Sequence, residues 1–210
     1  MLLESVEPRP RVGGGGQAGL DRLWSHPALL GELAEVLERL DVDARDVTMP
    51  VRLPHGQHVP IHAHARYTRN EILAAFGHSV LTRPLEWREG VRYDLDAQTD
   101  LFAFTLQKAE RDFSPTTMYR DYAISRDLVH WESQSTLTEG TPTARRYMQH
   151  ATAGTSILLF ARPTKNERAF TCLGMATHVE HRGERPIAFV WRLDQPMLES
   201  FFAMARADVA

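Results

Sequence analysis

One stretch, residues 113–135, concentrates side chains that could do chemistry. It combines flat aromatic rings, a carboxylate and small polar groups: Tyr119, Asp121, Tyr122, Trp131, Ser133 and Gln134. A tyrosine or tryptophan ring offers a flat surface with a polar tip, and a carboxylate accepts hydrogen bonds from amino groups. Such a set could hold a planar heterocycle with exocyclic amino groups. The alternative interpretation is a sheet core in which Asp121 caps a turn.

The same stretch predicts a β-hairpin. Two apolar-rich runs, Met118–Ile124 and Leu128–Ser133, flank a Ser-Arg-Asp turn. Residues two apart on a strand share a face. One face is therefore expected to carry Tyr119, Asp121 and Ala123, and the other Arg120, Tyr122 and Ile124. Of these side chains, Tyr122 and Ile124 are predicted to be core residues.

Size and composition indicate an ordinary globular protein. The chain has 210 residues, of which 43% are hydrophobic and 24% charged, enough for one well-buried domain or a domain with a small appendage. Cys172 is the only cysteine, which excludes an internal disulfide and a multi-cysteine zinc site. No apolar run reaches the length of a membrane span, and no signal-peptide pattern is present. We therefore expect a cytoplasmic protein without a membrane partner.

Positive charge is concentrated in two segments. Residues 141–192 hold eight Arg or Lys against three acids, and residues 51–83 hold four Arg against one Glu. Of the 24 basic residues, 22 are arginine, whose planar fork suits phosphates. The clustering is compatible with a nucleic-acid-facing surface.

The N-terminal third divides into a tail and a lead-in. Residues 1–19, rich in Pro and Gly, predict a flexible tail, and residues 20–59 predict a helical lead-in that contains a helix over Leu20–Leu40 with an apolar stripe. Residues 41–65 are predicted to be irregular and contain four histidines: His55, His58, His62 and His64. No acidic residue lies between Asp46 and Glu71, so we interpret them as loop histidines and expect no metal.

The remainder, residues 60–210, predicts one compact α+β domain. A capping box at Thr68-Arg-Asn-Glu71 begins a helix that ends at Phe76, and further helices are predicted over Pro142–Gln149 and Leu198–Ala207. Besides the hairpin, strands are predicted over Glu89–Tyr93, Leu101–Gln107, Ser156–Ala161, Phe170–Glu180 and Pro186–Leu193. Mostly antiparallel strands with peripheral helices indicate a barrel-like architecture.

Several segments resemble an uncharacterised domain family. The resemblance runs from about residue 60 to 196, and residues 113–135 are its most specific part. It is carried by HAHARYTRNEIL at His62–Leu73, DFSPTTMYRDYAIS at 112–125, HWESQS at 130–135, Arg146-Tyr147, ILLF at 157–160 and WRLDQP at 191–196. Members of that family usually lie at the C-terminus of bacterial proteins with a phospholipase-D-type nuclease and a helicase. Such proteins look like type IV restriction enzymes, which cut DNA that contains modified cytosine.

The resemblance implies an SRA-like, PUA-related reader that flips a methylated or hydroxymethylated cytosine out of duplex DNA. It implies base contacts from Tyr119, Asp121, Trp131, Ser133 and Gln134, with Tyr119 or Trp131 as the stacking surface and Asp121 as acceptor of the N4 amino group. Phosphate contacts would come from Arg66, Arg69, Arg120, Arg145, Arg146 and Tyr147. No cofactor is expected.

The sequence departs from that family in one respect and leaves other functions open. It lacks the phosphate-loop and nuclease motifs, so helicase and nuclease components are expected only as possible partners, and catalysis by this chain alone is uncertain. An RNA-binding or protein-interaction module on the same fold is the alternative. A hydrolase that uses His130 or His150 with Asp112 or Asp121 is less favoured, because no nucleophile lies beside a base in the sequence.

Overall fold

The structure, a computed structural model, describes residues 21, 24–45, 49–54, 57–78, 87, 90–106 and 121–206, with residues 40–45 described by their backbone alone. These ranges contain four helices and ten strands. The helices are α1 Pro27–Arg45, α2 Arg69–Ala75, α3 Pro142–Ala153 and α4 Glu199–Ala205. The strands are β1 Met49–Arg52, β2 His58–Ala63, β3 Arg66–Tyr67, β4 Val91–Asp94, β5 Thr99–Thr105, β6 Tyr122–Ala123, β7 Leu128–Glu132, β8 Ser156–Arg162, β9 Phe170–Arg182 and β10 Ala188–Leu193.

One large sheet organises the domain. Its strand order is β4-β5-β8-β9-β10-β7-β6, and β3 adds a short pairing to the start of β9. All pairs are antiparallel except β5 with β8, whose connection includes the hairpin and α3. The α+β class with a mostly antiparallel sheet is confirmed. The barrel-like expectation is corrected, because β4 and β6 end the described strand order and the sheet is not a closed barrel.

Two apolar layers cover the two faces of this sheet. On one face, Tyr147 of α3 and Phe201 of α4 pack over Phe102, Trp131 and Phe189. On the other face, β1, β2 and α2 supply Val51, Val59, Ile61, Ile72 and Leu73 to a layer with Leu101, Leu158, Phe160 and Cys172. Because β5 lies between both layers, all seven of its residues are buried. Burial on both faces agrees with the apolar run Leu101–Phe104 in the middle of the strand.

The segment predicted to be irregular contains the antiparallel pair β1–β2. Val51 and Val59 are buried on the second layer, so the described core includes residues ahead of position 60. Pro50 and Pro60 misled the prediction, because proline is tolerated in short strands that are not central to a sheet. The two strands form a separate two-stranded sheet.

The predicted helices are present with shifted ends. Helix α1 spans Pro27–Arg45, and Leu20, where the predicted helix begins, lies outside the described residues. Three side chains of the predicted apolar stripe, Leu29, Val36 and Leu37, are exposed. Helix α2 has the predicted capping box: the Thr68 hydroxyl accepts from the Glu71 N–H, and the Glu71 carboxylate accepts from the Thr68 N–H. Among the described residues no helix is both long and apolar enough to cross a bilayer.

Candidate functional site

The predicted hairpin forms the edge of the sheet. Strands β6 and β7 pair with Tyr122 opposite His130 and Ala123 opposite Val129, and the turn carries a Ser125 hydroxyl that donates to Asp127 Oδ1 at 2.7 Å. Continuing this register by one residue places Asp121 opposite Trp131. The alternation that the sequence predicts is confirmed, since Asp121 and Ala123 are buried and Ile124 is exposed.

Asp121 lies just before β6 and is 3% exposed. Its Oδ1 accepts a 2.9 Å hydrogen bond from the Glu132 N–H, so the carboxylate occupies the place of a strand carbonyl where β6 begins. A carboxylate held by a main-chain donor is fixed in position. Asp121 is therefore a fixed hydrogen-bond acceptor at the edge of the sheet, just before β6.

Trp131 lies beside Asp121 on the same face of the hairpin and packs in the core. It is 5% exposed, and its ring centre lies 4.7 Å from Phe102, 5.8 Å from Phe189 and 6.2 Å from Tyr147. Edge-to-face contacts of this kind stabilise a core beyond the area they bury. The structure thus gives Trp131 and Tyr147 a packing role, and stacking of Trp131 on a base stays a prediction.

Ser133 joins β7 to the segment before β10. Its hydroxyl accepts from the Ile187 N–H at 2.9 Å and donates to the Gln134 carbonyl at 3.2 Å, while its own N–H donates to the Ile187 carbonyl. Ser133 is fully buried and Gln134 is exposed. The structure brings Asp121, Trp131 and Ser133 together at one end of the sheet, with Gln134 at the adjacent surface.

The prediction that Tyr122 and Ile124 are core residues is wrong. Tyr122 is half-buried and stacks on His130 with ring centres 4.7 Å apart and planes 13° apart, and Ile124 is 45% exposed. Alternation identified the two faces correctly, but helices α3 and α4 cover the face of Asp121 and Ala123. Tyr122 and His130 thus provide a stacked pair on the opposite face.

The predicted phosphate residue Arg146 is committed to a carboxylate. Its Nε and Nη2 donate to the two oxygens of Asp100 at 2.7 and 2.8 Å, and its Cζ lies 4.0 Å from the centre of the Tyr93 ring. The hydrogen bond to Asp100 raises the pKa of Arg146, while burial raises the pKa of Asp100 against the opposing effect of Arg146. Sequence analysis missed Asp100, a carboxylate at the start of the apolar strand β5.

The other predicted phosphate residues occupy several positions. Arg145, next to Arg146 on α3, is exposed. Arg66 forms an ion pair with Glu167, and Arg69 Nη1 donates to the Trp87 carbonyl at 3.1 Å. Tyr119 and Arg120 lie outside the described residues.

The arginines of β3 and α2 and the Asp121 group lie at opposite ends of the sheet. Arg66 pairs with Thr171 at the start of β9, whereas Trp131 pairs with Phe189, which pairs in turn with His181 near the end of β9. At about 3.3 Å per strand residue, these positions are roughly 30 Å apart. The predicted residues therefore do not form one compact site.

A group of histidines lies beside the first layer, and sequence analysis singled out only His150 among them. His150 Nε2 accepts from the His178 N–H at 3.1 Å, and His178 Nε2 lies 3.1 Å from His181 Nδ1. Burial lowers the pKa of His150 and His178, so both rings are held neutral at pH values where free histidine titrates. Among the described residues no three His, Cys, Asp or Glu side chains are placed to hold a metal ion.

Cys172 offers no reactive thiol. It is completely buried, and burial raises the pKa of its thiol to about 12. The nucleophilic form is the thiolate, so this side chain acts as a small apolar core residue.

Comparison with known proteins gives a family and two structural likenesses. The SRA domain of SUVH5, solved with hemimethylated CG DNA, is 12% identical over 71% of this chain and 98% of that chain, with a TM-score of 0.44. The DNA recognition domain of LpnPI, a cytosine modification-dependent restriction endonuclease, is 10% identical over 70% of this chain and 82% of that chain, with a TM-score of 0.42. No curated protein matches the sequence. The family model described as a domain of unknown function, DUF3427, matches residues 61–205, and the chain belongs to that family.

Proposed function

We propose that this protein is a DNA-binding reader of modified cytosine that extrudes the base toward Asp121. The observation that carries the proposal is the position of this carboxylate. Within the stretch that most resembles the reader family, Asp121 is fixed at the sheet edge by the Glu132 N–H at 2.9 Å. A fixed carboxylate can accept from the N4 amino group, which cytosine carries and thymine lacks.

The proposed slot combines the buried polar groups of the hairpin with its exposed end. Asp121 accepts from the base, Ser133 orders the backbone between β7 and β10, and exposed Gln134 contacts the base edge. Tyr119 is the stacking surface that we favour, since the ring of Trp131 is covered by Phe102, Phe189 and Tyr147. Because Asp121 is 3% exposed, a base reaches it only after the groups that cover it move.

Base extrusion has an energetic requirement that the slot must meet. Flipping costs a few kcal/mol of lost pairing and stacking, which stacking on an aromatic ring and the hydrogen bonds to the base offset. Phosphate contacts supply sequence-independent affinity. Exposed Arg145 and the arginines at the opposite end of the sheet are the proposed source of those contacts.

The test is a competition shift assay on three duplexes that differ at one cytosine: unmodified, methylated and hydroxymethylated. The wild-type protein is expected to prefer one modified duplex, and Asp121→Asn is expected to lose roughly tenfold of that preference while keeping salt-sensitive binding. Asp127→Asn, on the turn of the same hairpin, is the matched control and should behave as wild type. Equal affinity of the wild-type protein for all three duplexes would refute the proposal.

Extrusion itself is measured by fluorescence. With 2-aminopurine opposite or beside the modified cytosine, wild-type protein is expected to increase emission because the probe loses its stacking. Tyr119→Ala should reduce this increase, whereas Trp131→Phe should lower the free energy of unfolding. If Trp131→Phe removed the fluorescence change without destabilising the fold, Trp131 would be the stacking surface instead.

A further inference from the structure

Two arginines lie on one aromatic ring at the end of the sheet opposite Asp121. The Cζ atom of Arg162 lies 4.6 Å from the centre of the Phe170 ring, and the Cζ atom of Arg69 lies 5.4 Å from it. Arg69 begins α2, Arg162 ends β8 and Phe170 begins β9. Three separate elements therefore converge on the Phe170 ring and bring two positive charges to it, and the charge of Arg162 lowers the pKa of Arg69.

The hydrogen-bond acceptors of these two arginines are neutral, and the Glu167 carboxylate, whose charge raises the pKa of Arg162, is shared with Arg66. Arg69 Nη1 donates to the Trp87 carbonyl, Arg162 Nε donates to the Thr105 hydroxyl at 3.0 Å, and Arg162 Nη1 donates to the Glu167 carbonyl at 2.5 Å. All three acceptors are neutral. The nearby carboxylates have other hydrogen-bond partners, because Glu167 pairs with Arg66 and Glu71 closes the capping box with Thr68.

One donor in the cluster is buried without an acceptor. The Nε atom of Arg69 is inaccessible and has no hydrogen-bond partner among the described residues. Burial lowers the pKa of Arg69, and the adjacent Arg162 lowers it further. An unsatisfied buried donor on a charged group costs stability, and an anion bound beside the two guanidinium groups would offset the repulsion between them.

We propose that Arg69 and Arg162 together bind one backbone phosphate of the DNA beside the Phe170 ring. This inference rests on the proposed function for the identity of the anion. Arginine forks match phosphate geometry, and Arg66, Arg69, Arg162 and Glu167 together carry a net charge of three minus one, or +2. Arg162 is the new member of this cluster, because the sequence predicted phosphate contacts here only from Arg66 and Arg69.

The distance between this arginine cluster and Asp121 indicates what the phosphate contact contributes. The cluster lies roughly 30 Å from the proposed base slot along β9, close to one turn of B-DNA, which is about 34 Å. A phosphate held there contacts the duplex away from the extruded base. It therefore contributes affinity and orientation but no information about the modification.

The test measures binding of a long modified duplex as a function of NaCl concentration for wild type, Arg69→Gln, Arg162→Gln and the double variant. Each single change is expected to lower the slope of log K against log salt by about 0.9 and to weaken low-salt binding roughly three- to tenfold. The slope of the double variant should match the single variants, since both side chains contact one phosphate. Arg192→Gln, an exposed arginine on β10, is the matched control and should keep the wild-type slope.

The outcomes separate this inference from the proposed function. Unchanged slopes in folded Arg69→Gln and Arg162→Gln would overturn the phosphate site even if modified cytosine is still preferred. Lower slopes with no preference for modified cytosine in any protein would refute the reader function and leave the phosphate site standing. Reduced modification preference in the arginine variants, with unchanged slopes, would contradict the inference as well.

A second measurement needs no variant. Wild-type protein is treated with phenylglyoxal, with and without duplex, and modified arginines are mapped by mass spectrometry. Duplex is expected to protect Arg69 and Arg162 but not Arg192. Protection by millimolar inorganic phosphate and not by duplex would assign the cluster to a free phosphate, and protection by neither would remove the anion site altogether.

Discussion

Arg146 and Arg162 begin from similar surroundings and differ in one partner. Each is partly buried and lies over an aromatic ring, Arg146 at 4.0 Å from Tyr93 and Arg162 at 4.6 Å from Phe170. Arg146 forms two hydrogen bonds with the buried carboxylate of Asp100, whereas the acceptors of Arg162 are neutral. The pKa of Arg146 is raised by its partner, and that of Arg162 is lowered by burial.

The difference shows how a fold assigns different roles to the same side chain. A cation with a buried carboxylate is already neutralised, so it holds β5 and α3 together and has little to offer a phosphate. A cation without one retains its charge for an external anion. Sequence reasoning placed Arg146 among the phosphate contacts and omitted Arg162, because the deciding acceptors lie 46 and 57 residues away.

The largest effect is expected from breaking the ion pair between Arg146 and Asp100. Arg146→Ala leaves the buried Asp100 carboxylate without its partner, and we expect the free energy of unfolding to fall by about 3–5 kcal/mol. Urea denaturation measures this change. Arg145→Ala on the same helix removes an exposed arginine and should stay within about 0.5 kcal/mol of wild type.

A companion variant isolates the cause. Replacing both partners, as in Asp100→Asn with Arg146→Gln, should recover part of the loss because no uncompensated charge remains in the interior. If the single and double variants were equally unstable, packing of the Arg146 stem rather than its charge would hold the two elements together.

The second test adds a carboxylate next to Arg162. Thr105→Asp places an acid where the Thr105 hydroxyl now accepts from Arg162 Nε at 3.0 Å. We expect low-salt DNA binding to weaken roughly tenfold, because the new acid neutralises Arg162. Thr105→Asn adds similar volume without charge and should leave DNA binding unchanged. Equal DNA binding by both variants would contradict the comparison.

A third test measures how the stability of the fold depends on pH through His150 and His178. The pKa of His150 is lowered by burial, with Asp100 and Asp194 opposing the shift, and the pKa of His178 is lowered by burial and by the adjacent histidines. Below the ordinary histidine value near 6.5, the unfolded chain takes up protons that the folded chain refuses. Stability is therefore expected to be full above pH 6.5 and to fall as the pH drops through the lower folded pKa values.

Thermal unfolding from pH 8 to pH 5 measures this loss. His150→Gln keeps an acceptor for the His178 N–H but cannot titrate, so its stability should vary less with pH than that of wild type. His58→Gln, an exposed histidine on β2, is the control and should keep the wild-type profile. A profile for His150→Gln as steep as wild type would place the titrating group elsewhere.

The smallest expected change concerns the exposed arginine near Phe170. Arg66 pairs with Glu167, and its side chain is 56% exposed. Surface ion pairs contribute about 0–1 kcal/mol, so Arg66→Ala should barely alter the urea midpoint. A loss of stability as large as that of Arg146→Ala would contradict the distinction between the exposed Arg66–Glu167 pair and the buried Arg146–Asp100 pair.

Much of the secondary structure could be predicted because its causes are local. Capping chemistry identified the start of α2, and alternation identified both faces of the β6–β7 hairpin. The two-residue period of a strand and the hydrogen bonds of a helix cap depend on neighbours in sequence. The proline-containing pair β1–β2 was missed because its strands are short and lie outside the main sheet.

The candidate site depended on contacts between distant segments. Sequence alone predicted a hairpin within residues 113–135 and put Asp121 and Tyr122 on its opposite faces. Tertiary structure decided that α3 and α4 cover the face of Asp121 and Trp131, that Asp100 neutralises Arg146, and that Arg69 and Arg162 meet on Phe170 with neutral hydrogen-bond acceptors. Burial and charge pairing are set by strand order and helix packing, which bring together residues that no local pattern relates.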